Sequence, residues 1–431
     1  MFRTRSRGGV YLAVGLWTVP LAFFGWRARL AARPAALTTG APAPARRPPP
    51  PPGTEQEVRG QSAQNFAALQ NLPYILQSYD PNPATGIIKW DRARTSPGVN
   101  FIAPWCRGAP RAYLMDMDGK VLWRWQIDAA VFRKENPWLE HAELLPDGSV
   151  VFTLKDLAVV KVDRDSKIVW RISLRAHHDV WPAGNGDLLV LSRTPEIVPA
   201  IHPTLPIEAD AITFLDPNGS ILRKIPILPL LERSGYRFLL PRLEQAPIPA
   251  SIHALDVFHT NHVESFDGRL AARSPIYARG NLLVSIRNLN AIAIVDPRVP
   301  DAEKIVWLWG PGNLTYQHDP RLLPDGHILV FDNGTERSQL IEVDPLTDRV
   351  VWRYAPSKGF FSKASGAAQR LANGNTLVTE SMTGHVFEIS PTGDIVWKYA
   401  GPDINHDGIR DGIIRMTRFD PAQLSFLPAT G

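Results

Sequence analysis

The chain has a single cysteine, Cys106, among its 431 residues. One cysteine excludes an intrachain disulfide, a cysteine-based zinc site and a Cys-x-x-Cys redox pair. Residues 61–431 also carry little net charge. The net charge is +5, but residues 1–60 hold nine arginines and two glutamates, so residues 61–431 sum to −2. No basic stripe is left to follow a phosphate backbone, and we expect no nucleic-acid partner.

One long uncharged run stands near the N-terminus. Residues Gly8–Trp26 carry no charge over 19 positions and follow three arginines, as in a signal sequence or membrane anchor. Prolines 48–52 then form a stiff spacer. We therefore predict a signal peptide or anchor helix over 1–27, a proline-rich linker over 28–60 and a folded domain over 61–431. The protein is expected to be exported, to the periplasm or another extracytoplasmic space, and to contact the membrane through its N-terminal segment.

Internal repetition predicts the fold. Six segments share one hairpin pattern, an apolar strand ending in Asp or Ser, a turn, and a second apolar strand. At one position the second strand carries, in order, Trp123, Trp170, Leu222, Trp307, Trp352 and Trp397. The spacings are 47, 52, 85, 45 and 45 residues, close to the roughly 40–50 residues of a propeller blade.

The 40 prolines, 31 glycines and 13 tryptophans also favour a turn-rich body over a helical one. A β-sandwich would not require six copies of one hairpin. We predict an all-β, six-bladed β-propeller, with insertions near Leu228–Ser251 and Arg269–Tyr277 that account for the longest spacing.

A second recurring unit lies between the hairpins. Its copies begin at His141, His178, His259 and His318, and a copy from Gly366 lacks the histidine. Equivalent positions in a closed ring of repeats lie at equivalent places around its axis. We therefore expect four blades to direct a histidine towards one central site. The strands that follow end in a polar rim of Lys155, Arg193, Arg287, Asp332 and Glu380.

A structural role for these histidines is the alternative, since WD repeats use a histidine for hydrogen bonding within each blade. The residues around the four histidines differ (HAE, HHD, HTNH and QHD). A purely structural repeat would keep its neighbours alike, and this difference favours a shared site.

Several motifs resemble those of the arylsulfotransferase family, six-bladed exported enzymes that move sulfate between phenols without a nucleotide donor. The resemblance runs from about Pro97 to Tyr399. It is carried by SPGVNFIAP, by HTN at 259–261, by LVSIRN around Arg287, and by TYQHDPR and VFDNGTER around His318. It implies a small aromatic sulfate donor, a phenolic acceptor and no required cofactor.

The resemblance also implies roles for single residues. His318 matches the histidine that is transiently sulfated. His259 would protonate the departing phenol and later deprotonate the acceptor, a role that suits a histidine near neutral pH. His178, Asn261 and Arg287 would bind the sulfuryl group. Further candidates are His177, which adjoins His178, His262, which stands where the family often has serine, His141 and Arg193. The disulfide and N-terminal β-domain of well-known members have no counterpart here.

Two other functions stay open at this point: a non-catalytic scaffold or binding propeller, and a propeller dehydrogenase that depends on a quinone. The second class often uses vicinal cysteines, and this chain has one cysteine.

A loop near the C-terminus has the opening of a calcium-binding loop. It offers oxygen ligands at positions 1, 3, 5 and 9, which are Asp403, Asn405, Asp407 and Asp411, but Ile414 stands where position 12 requires a carboxylate. An exposed Asp/Asn/Gly turn is the alternative. Structural calcium is the one cofactor that the sequence indicates.

Overall fold

The computed structural model of the chain describes residues 77–79 and 83–427, apart from 133–134, 245, 247, 357–359 and 406–407. The predicted export segment and proline-rich linker lie outside the described residues, and both stay predictions. Within the described part of the chain, no helix is long and apolar enough to cross a membrane.

Six antiparallel sheets, here called blades 1 to 6, make up the fold. Blade 1 takes its first strand from the C-terminal end of the chain. It consists of β27 (Ile413–Phe419), β3 (Val99–Pro104), β4 (Arg111–Met115) and β5 (Val121–Gln126). Blade 2 consists of β6 (Leu139–Leu144), β7 (Val150–Leu154), β8 (Ala158–Val162) and β9 (Ile168–Ser173). Blade 3 consists of β10 (Ala176–Pro182), β11 (Leu188–Glu196), β12 (Ile207–Leu215) and β13 (Ile221–Pro226).

The other three blades follow in chain order. Blade 4 consists of β14 (Thr260–Ser265), β15 (Leu282–Ile286), β16 (Ala291–Val295) and β17 (Ile305–Trp309). Blade 5 consists of β18 (His318–Leu322), β19 (Ile328–Asp332), β20 (Gln339–Asp344) and β21 (Arg349–Tyr354). Blade 6 consists of β22 (Ala367–Arg370), β23 (Thr376–Glu380), β24 (His385–Ile389), β25 (Ile395–Ala400) and, outermost, β2 (Gly86–Trp90). A separate small sheet pairs β1 (Gln77–Tyr79) with β26 (Ile409–Asp411).

The blades form a closed ring. The first strand of each blade contacts the first strand of the next, in the order β6, β10, β14, β18, β22, β27 and back to β6. These six strands are therefore the inner strands. The hairpins that carry the repeated tryptophans are the outer edges, except in blade 6, where β2 lies outside the hairpin of β24 and β25. The prediction of an all-β, six-bladed β-propeller is confirmed.

Three of the repeated tryptophans join their blade to the next one. The Trp123 indole Nε1 donates a hydrogen bond of 2.6 Å to the Arg164 carbonyl in the outer hairpin of blade 2. Trp170 Nε1 donates to the Pro217 carbonyl of blade 3 at 3.0 Å, and Trp307 Nε1 donates to Asp348 Oδ1 of blade 5 at 2.8 Å. The periodic tryptophan thus reflects a contact that three blades make with the next, whereas Leu222 cannot donate this bond and Trp397 Nε1 has no hydrogen-bond partner in the described part of the chain.

The long spacing between the third and fourth repeats corresponds to two insertions, as predicted. One precedes blade 4 and contains the helix α1 (Ile227–Glu232), with Leu231 and Leu239 buried in the core between blades 3 and 4. The other lies between β14 and β15. Short 3₁₀ turns are found at Ala129–Phe132, Arg237–Leu239, Pro275–Tyr277, Arg287–Leu289, Asp301–Glu303, Ser381–Thr383 and Pro421–Gln423.

Candidate active site

A small cavity of about 70 Å³ lies among the ends of the inner strands. Its polar lining comes from different blades: Glu140 and Lys155 (blade 2), His178 (blade 3), His259 and Arg287 (blade 4), and His318 (blade 5). Two tryptophans, Trp105 and Trp138, line it as well. The structure therefore brings together four of the five residues that the resemblance placed at the site, all except Asn261.

Irregular inner strands deliver the histidines. The register of pairing shifts within β6, β10, β14, β18 and β27. His178, His259 and Asp319 lie at or beside these shifts with φ of 52°, 49° and 48°. A positive φ is uncommon for residues other than glycine and is concentrated at functional sites. Here it turns the chain so that the histidines leave the strand direction and reach the cavity.

The expectation that four histidines share one position is wrong. Counted back four residues from the last paired residue of each inner strand, one set of residues stands at one position, namely Glu140, His178, Asn261 and His318. The residues that follow them form a second set, His141, Asp179, His262 and Asp319, to which Arg415 of β27 belongs. His259 reaches the cavity from two residues before Asn261. The turn glycines carried this signal in the sequence, since His178 and His318 stand eight residues before Gly186 and Gly326, whereas His141 stands seven residues before Gly148.

His318 is held by its Nδ1 atom. That atom lies 2.7 Å from Asn333 Oδ1 and 3.0 Å from the Tyr316 carbonyl. The Asn333 amide nitrogen donates to the Ser362 and Ser365 carbonyls, which directs Oδ1 to the histidine. Both neighbours of Nδ1 are acceptors, so Nδ1 carries the hydrogen and Nε2 carries the lone pair. Burial, with Arg287 nearby, lowers the pKa of His318 to about 3, and the imidazole is neutral at physiological pH.

The Nδ1 atom of His259 faces a carboxylate rather than an amide. Its Nδ1 lies 2.5 Å from Asp256 Oδ2, and its ring packs edge-on against His178 with centroids 4.6 Å apart. Burial lowers the pKa of His259 below its ordinary value, and this outweighs the raising effect of Asp256. His259 can therefore act as a base, because the buried Asp256 carboxylate can stabilise its protonated form.

His178 and Glu140 belong to one connected group. The His178 main-chain N–H donates to Glu140 Oε2 at 2.9 Å, and Lys155 Nζ donates to Glu140 Oε1 at 2.6 Å. Burial and the neighbouring His259 lower the pKa of His178 well below its ordinary value. Although burial opposes it, Lys155 keeps the pKa of Glu140 below its ordinary value, so the carboxylate and ammonium face each other as an ion pair.

Two cations adjoin the three histidines. Arg287 is buried, its Nη1 donates to Asn288 Oδ1 at 3.1 Å, and its guanidinium lies over the Tyr316 ring at 5.1 Å. Lys155 Nζ lies 5.1 Å from the centre of the Trp138 ring. Such a cavity suits an anion, and neutral imidazoles beside it suit proton transfer and nucleophilic attack.

Five other candidates lie outside the cavity lining. Asn261 Nδ2 donates to the Gln317 carbonyl at 2.9 Å, so it supports the segment that ends in His318. His177 is buried. Its Nδ1 lies 2.9 Å from His178 Nδ1, and its Nε2 lies 3.4 Å from Asp210 Oδ1. Arg193 binds Asp156 through two hydrogen bonds of 2.8 and 2.5 Å.

His141 and His262 belong to a buried charged cluster, which we call the axial ring: His141, Asp179, His262, Asp319 and Arg415. Arg415 of blade 1 lies 2.7 Å from Asp319 of blade 5 and 3.4 Å from Asp179 of blade 3. His262 Nδ1 is 2.8 Å and His141 Nε2 is 3.5 Å from Asp179. The ring thus joins the inner strands of several blades.

The polar rim is predicted correctly only in part. Lys155, Arg193 and Arg287 share one register position, the residue after the second strand of each blade, which blades 5 and 6 fill with Asn333 and Ser381. The predicted Asp332 and Glu380 lie one residue too early. Asn333, Asp256 and Glu140 are partners that the sequence reasoning missed. The repeat could have indicated Asn333, because this residue stands at the register position of the rim residues in the other blades. Asp256 lies in an insertion without a repeat.

Two of the predicted calcium ligands have other partners within the protein. Of the proposed calcium ligands, Asp403 pairs with Arg111 at 3.2 Å, Asn405 Oδ1 accepts the Ile409 N–H at 3.0 Å, and Asp407 lies outside the described residues. Calcium there stays a prediction. Elsewhere in the described chain, Asp325, His327 and Glu342 bring potential ligand atoms within 4.8 Å of one another. Hydrogen bonds from His327 and Arg370 to Glu342, both 2.8 Å, already account for that contact.

Comparison with known proteins identifies a family. The profile of the family described as Arylsulfotransferase (ASST) matches residues 141–401, more than half of the chain and nearly all of blades 2 to 6. No curated protein matches.

Solved structures resemble the chain only distantly. A protein of unknown function from Bacteroides caccae aligns with a TM-score of 0.47 and 13% identity over 70% of this chain and 94% of that chain. The Cps50 (Swd1) β-propeller domain of Myceliophteria thermophila gives 0.43 and 12% over 77% and 100%. A virginiamycin B lyase from Staphylococcus aureus gives 0.37 and 10% over 62% and 70%. These likenesses concern the fold alone.

Proposed function

The chain belongs to the arylsulfotransferase family, and from that premise we propose that it transfers a sulfuryl group from an aryl sulfate to a phenol through a sulfated His318. One observation carries the proposal. His318 is a neutral imidazole whose Nδ1 is occupied by Asn333 and Tyr316, and it lines a cavity that also contains Arg287. A histidine held in this way offers Nε2 as the nucleophile.

The first half-reaction takes the sulfuryl group from the donor. His318 Nε2 forms a bond to sulfur while the bond between sulfur and the aryl oxygen breaks. The oxygen leaves with the electron pair and receives a proton from the protonated form of His259, whose imidazolium Asp256 stabilises. Arg287 faces the non-bridging oxygens, on which charge is concentrated in a loose transition state.

The second half-reaction reverses the direction. Neutral His259 takes the proton of the acceptor phenol, the phenol oxygen attacks sulfur, and the bond to His318 Nε2 breaks. The protonated His259 that results is the form that the next donor needs, so protons balance over the cycle. This sequence is a ping-pong mechanism, and it requires no nucleotide and no metal.

The remaining candidates have supporting roles. His178 lines the cavity beside His259 and is proposed to bind the sulfuryl group. Asn261 is proposed to position His318 through the Gln317 carbonyl rather than to touch the substrate. The tryptophans at the cavity offer flat apolar surfaces that suit an aryl ring. A pure scaffold would leave three histidines and two cations buried together without a reason.

Transfer between small molecules tests the proposal. Purified protein is mixed with 4-nitrophenyl sulfate and phenol, with no nucleotide present, and products are separated by chromatography. We expect 4-nitrophenol and phenyl sulfate in equal amounts. Omission of phenol is the control and should leave at most one release of 4-nitrophenol per protein. If folded protein forms no phenyl sulfate, the proposal is contradicted.

A further inference from the structure

The sulfuryl transfer proposed above needs a group that stabilises the negative charge developing on the aryl oxygen, and none of the five residues to which the resemblance gives a role belongs to the blade opposite His318. Transfer through a loose transition state is in line, so the leaving oxygen lies opposite the attacking atom. His318 begins β18 in blade 5. In a closed ring of six blades, blade 2 lies halfway round from blade 5. The leaving oxygen therefore faces blade 2.

Blade 2 presents a cation and an aromatic ring to the cavity. Lys155 and Trp138 both line it, and the Lys155 ammonium lies 5.1 Å from the centre of the Trp138 ring. Lys155 occupies in blade 2 the register position that Arg287 occupies in blade 4. The two cations thus stand at the same level of the ring but on different sides of it.

Electrostatics place the two cations near different groups. Lys155 contributes to the lowered pKa of His178, and both cations contribute to that of His259, Arg287 more strongly. Arg287 contributes to the lowered pKa of His318 and is the second cause after burial. Arg287 is thus on the side of the nucleophile and Lys155 is on the side of His178, with the proton donor His259 between the two cations.

Lys155 is also held in place. Glu140 Oε1 accepts its hydrogen bond at 2.6 Å, and the other carboxylate oxygen accepts the His178 main-chain N–H at 2.9 Å. Only 23% of the lysine side chain and 10% of the glutamate side chain are exposed. A preorganised donor of this kind stabilises developing charge without reorganisation.

We infer that blade 2 forms the leaving-group subsite: Lys155 is a catalytic residue that stabilises the aryl oxygen in both half-reactions, Trp138 packs against the aryl ring, and Glu140 is a positioning residue for Lys155. The inference rests on the proposed sulfuryl transfer. As the bond to sulfur breaks, the Lys155 ammonium donates a hydrogen bond to the phenolate oxygen, which then takes its proton from His259. The same contacts receive the acceptor phenol.

The leaving-group dependence of the first half-reaction tests this. The rate of sulfuryl transfer to the protein is measured by rapid quench and intact-protein mass spectrometry, with 4-nitrophenyl sulfate and with phenyl sulfate. Phenol is a weaker acid than 4-nitrophenol, so its departing oxygen carries more negative charge that has to be stabilised. We expect Lys155→Met to slow transfer from phenyl sulfate about 10²-fold and to slow transfer from 4-nitrophenyl sulfate much less. Lys155→Arg, which keeps the cation, should recover part of the loss.

Controls separate folding and function from the inference. Lys155→Met leaves Glu140 buried without its partner, so the double variant Lys155→Met/Glu140→Gln is measured as well and should show the same donor selectivity. Lys120→Met, at an exposed turn of blade 1, should react like the wild type with both donors. Equal losses with the two donors, or no loss, would overturn the role of Lys155 while the proposed function stands. A wild type that acquires no sulfuryl group would overturn both.

Discussion

His318 and His259 are buried histidines of one cavity, yet their Nδ1 atoms face different acceptors. An amide and a carbonyl oxygen face His318, whereas the Asp256 carboxylate faces His259. A carboxylate stabilises an imidazolium and a neutral amide does so far less. Partners of this kind divide the work between a nucleophile that stays neutral and a base that gains and loses a proton.

The titration of His259 therefore predicts opposite pH dependences for the two half-reactions. Burial lowers the pKa of His259 below 6.5, so its protonated fraction falls as the pH rises through that lowered value. Transfer from phenyl sulfate to the protein needs the protonated form and should slow over this range. Transfer from the sulfated protein to phenol needs the neutral form and should accelerate. His318, with a pKa of about 3, stays neutral throughout.

Single-turnover rates of each half-reaction between pH 4 and 8 provide the measurement. His259→Asn should abolish both pH dependences and slow each half-reaction by about 10²–10⁴-fold. Two half-reactions with the same pH profile, or profiles that the variant leaves intact, would contradict the assignment of His259.

At the scale of strands, the outer hairpins could be predicted and the inner strands only partly. The outer hairpin repeats one local contact, a tryptophan such as Trp123 or Trp170 bonded to the turn of the next blade, and a repeated contact leaves a repeated residue. The inner strands differ in where each bulge lies. Counted back from the hairpin turn, His178 and His318 stand at the position of Glu140, while His141 stands at that of Asp179. The pattern of histidines indicated the site, but not which of them line it.

The inner strands also explain a residue that the sequence did not single out. Arg415 of β27 contacts Asp319 of β18 at 2.7 Å and Asp179 of β10 at 3.4 Å, and all three are largely buried. Removing one partner of a buried ion pair leaves an uncompensated charge, which costs about 3–5 kcal/mol. We expect Arg415→Leu to lower the free energy of unfolding by about this amount, measured by urea denaturation.

The exposed Arg124 of β5 provides a matched control, and Arg124→Leu should change the free energy of unfolding by less than about 0.5 kcal/mol. Equal small effects of the two substitutions would mean that the axial ring does not hold the inner strands together.

For the whole molecule, ring closure and the site depend on each other. The first blade is completed by β27 from the C-terminal end and the sixth by β2 from the N-terminal side. Trp105 and Ile414 of blade 1 line the cavity with residues of blades 2 to 5. The site therefore exists only when the ring is closed, which the six repeats predict. The partners that tune it, Asp256 among them, come from segments outside the repeat, where no periodicity points to them.

The mass of the intact protein after it has met a donor tests the central claim most directly. Wild type mixed with 4-nitrophenyl sulfate in the absence of an acceptor should gain the mass of one sulfuryl group, and added phenol should remove it. His318→Asn should gain none and should melt at nearly the same temperature, because its imidazole lines a cavity rather than filling the core. A sulfuryl group on the His318→Asn protein, or sustained transfer to phenol by it, would contradict a covalent role for His318.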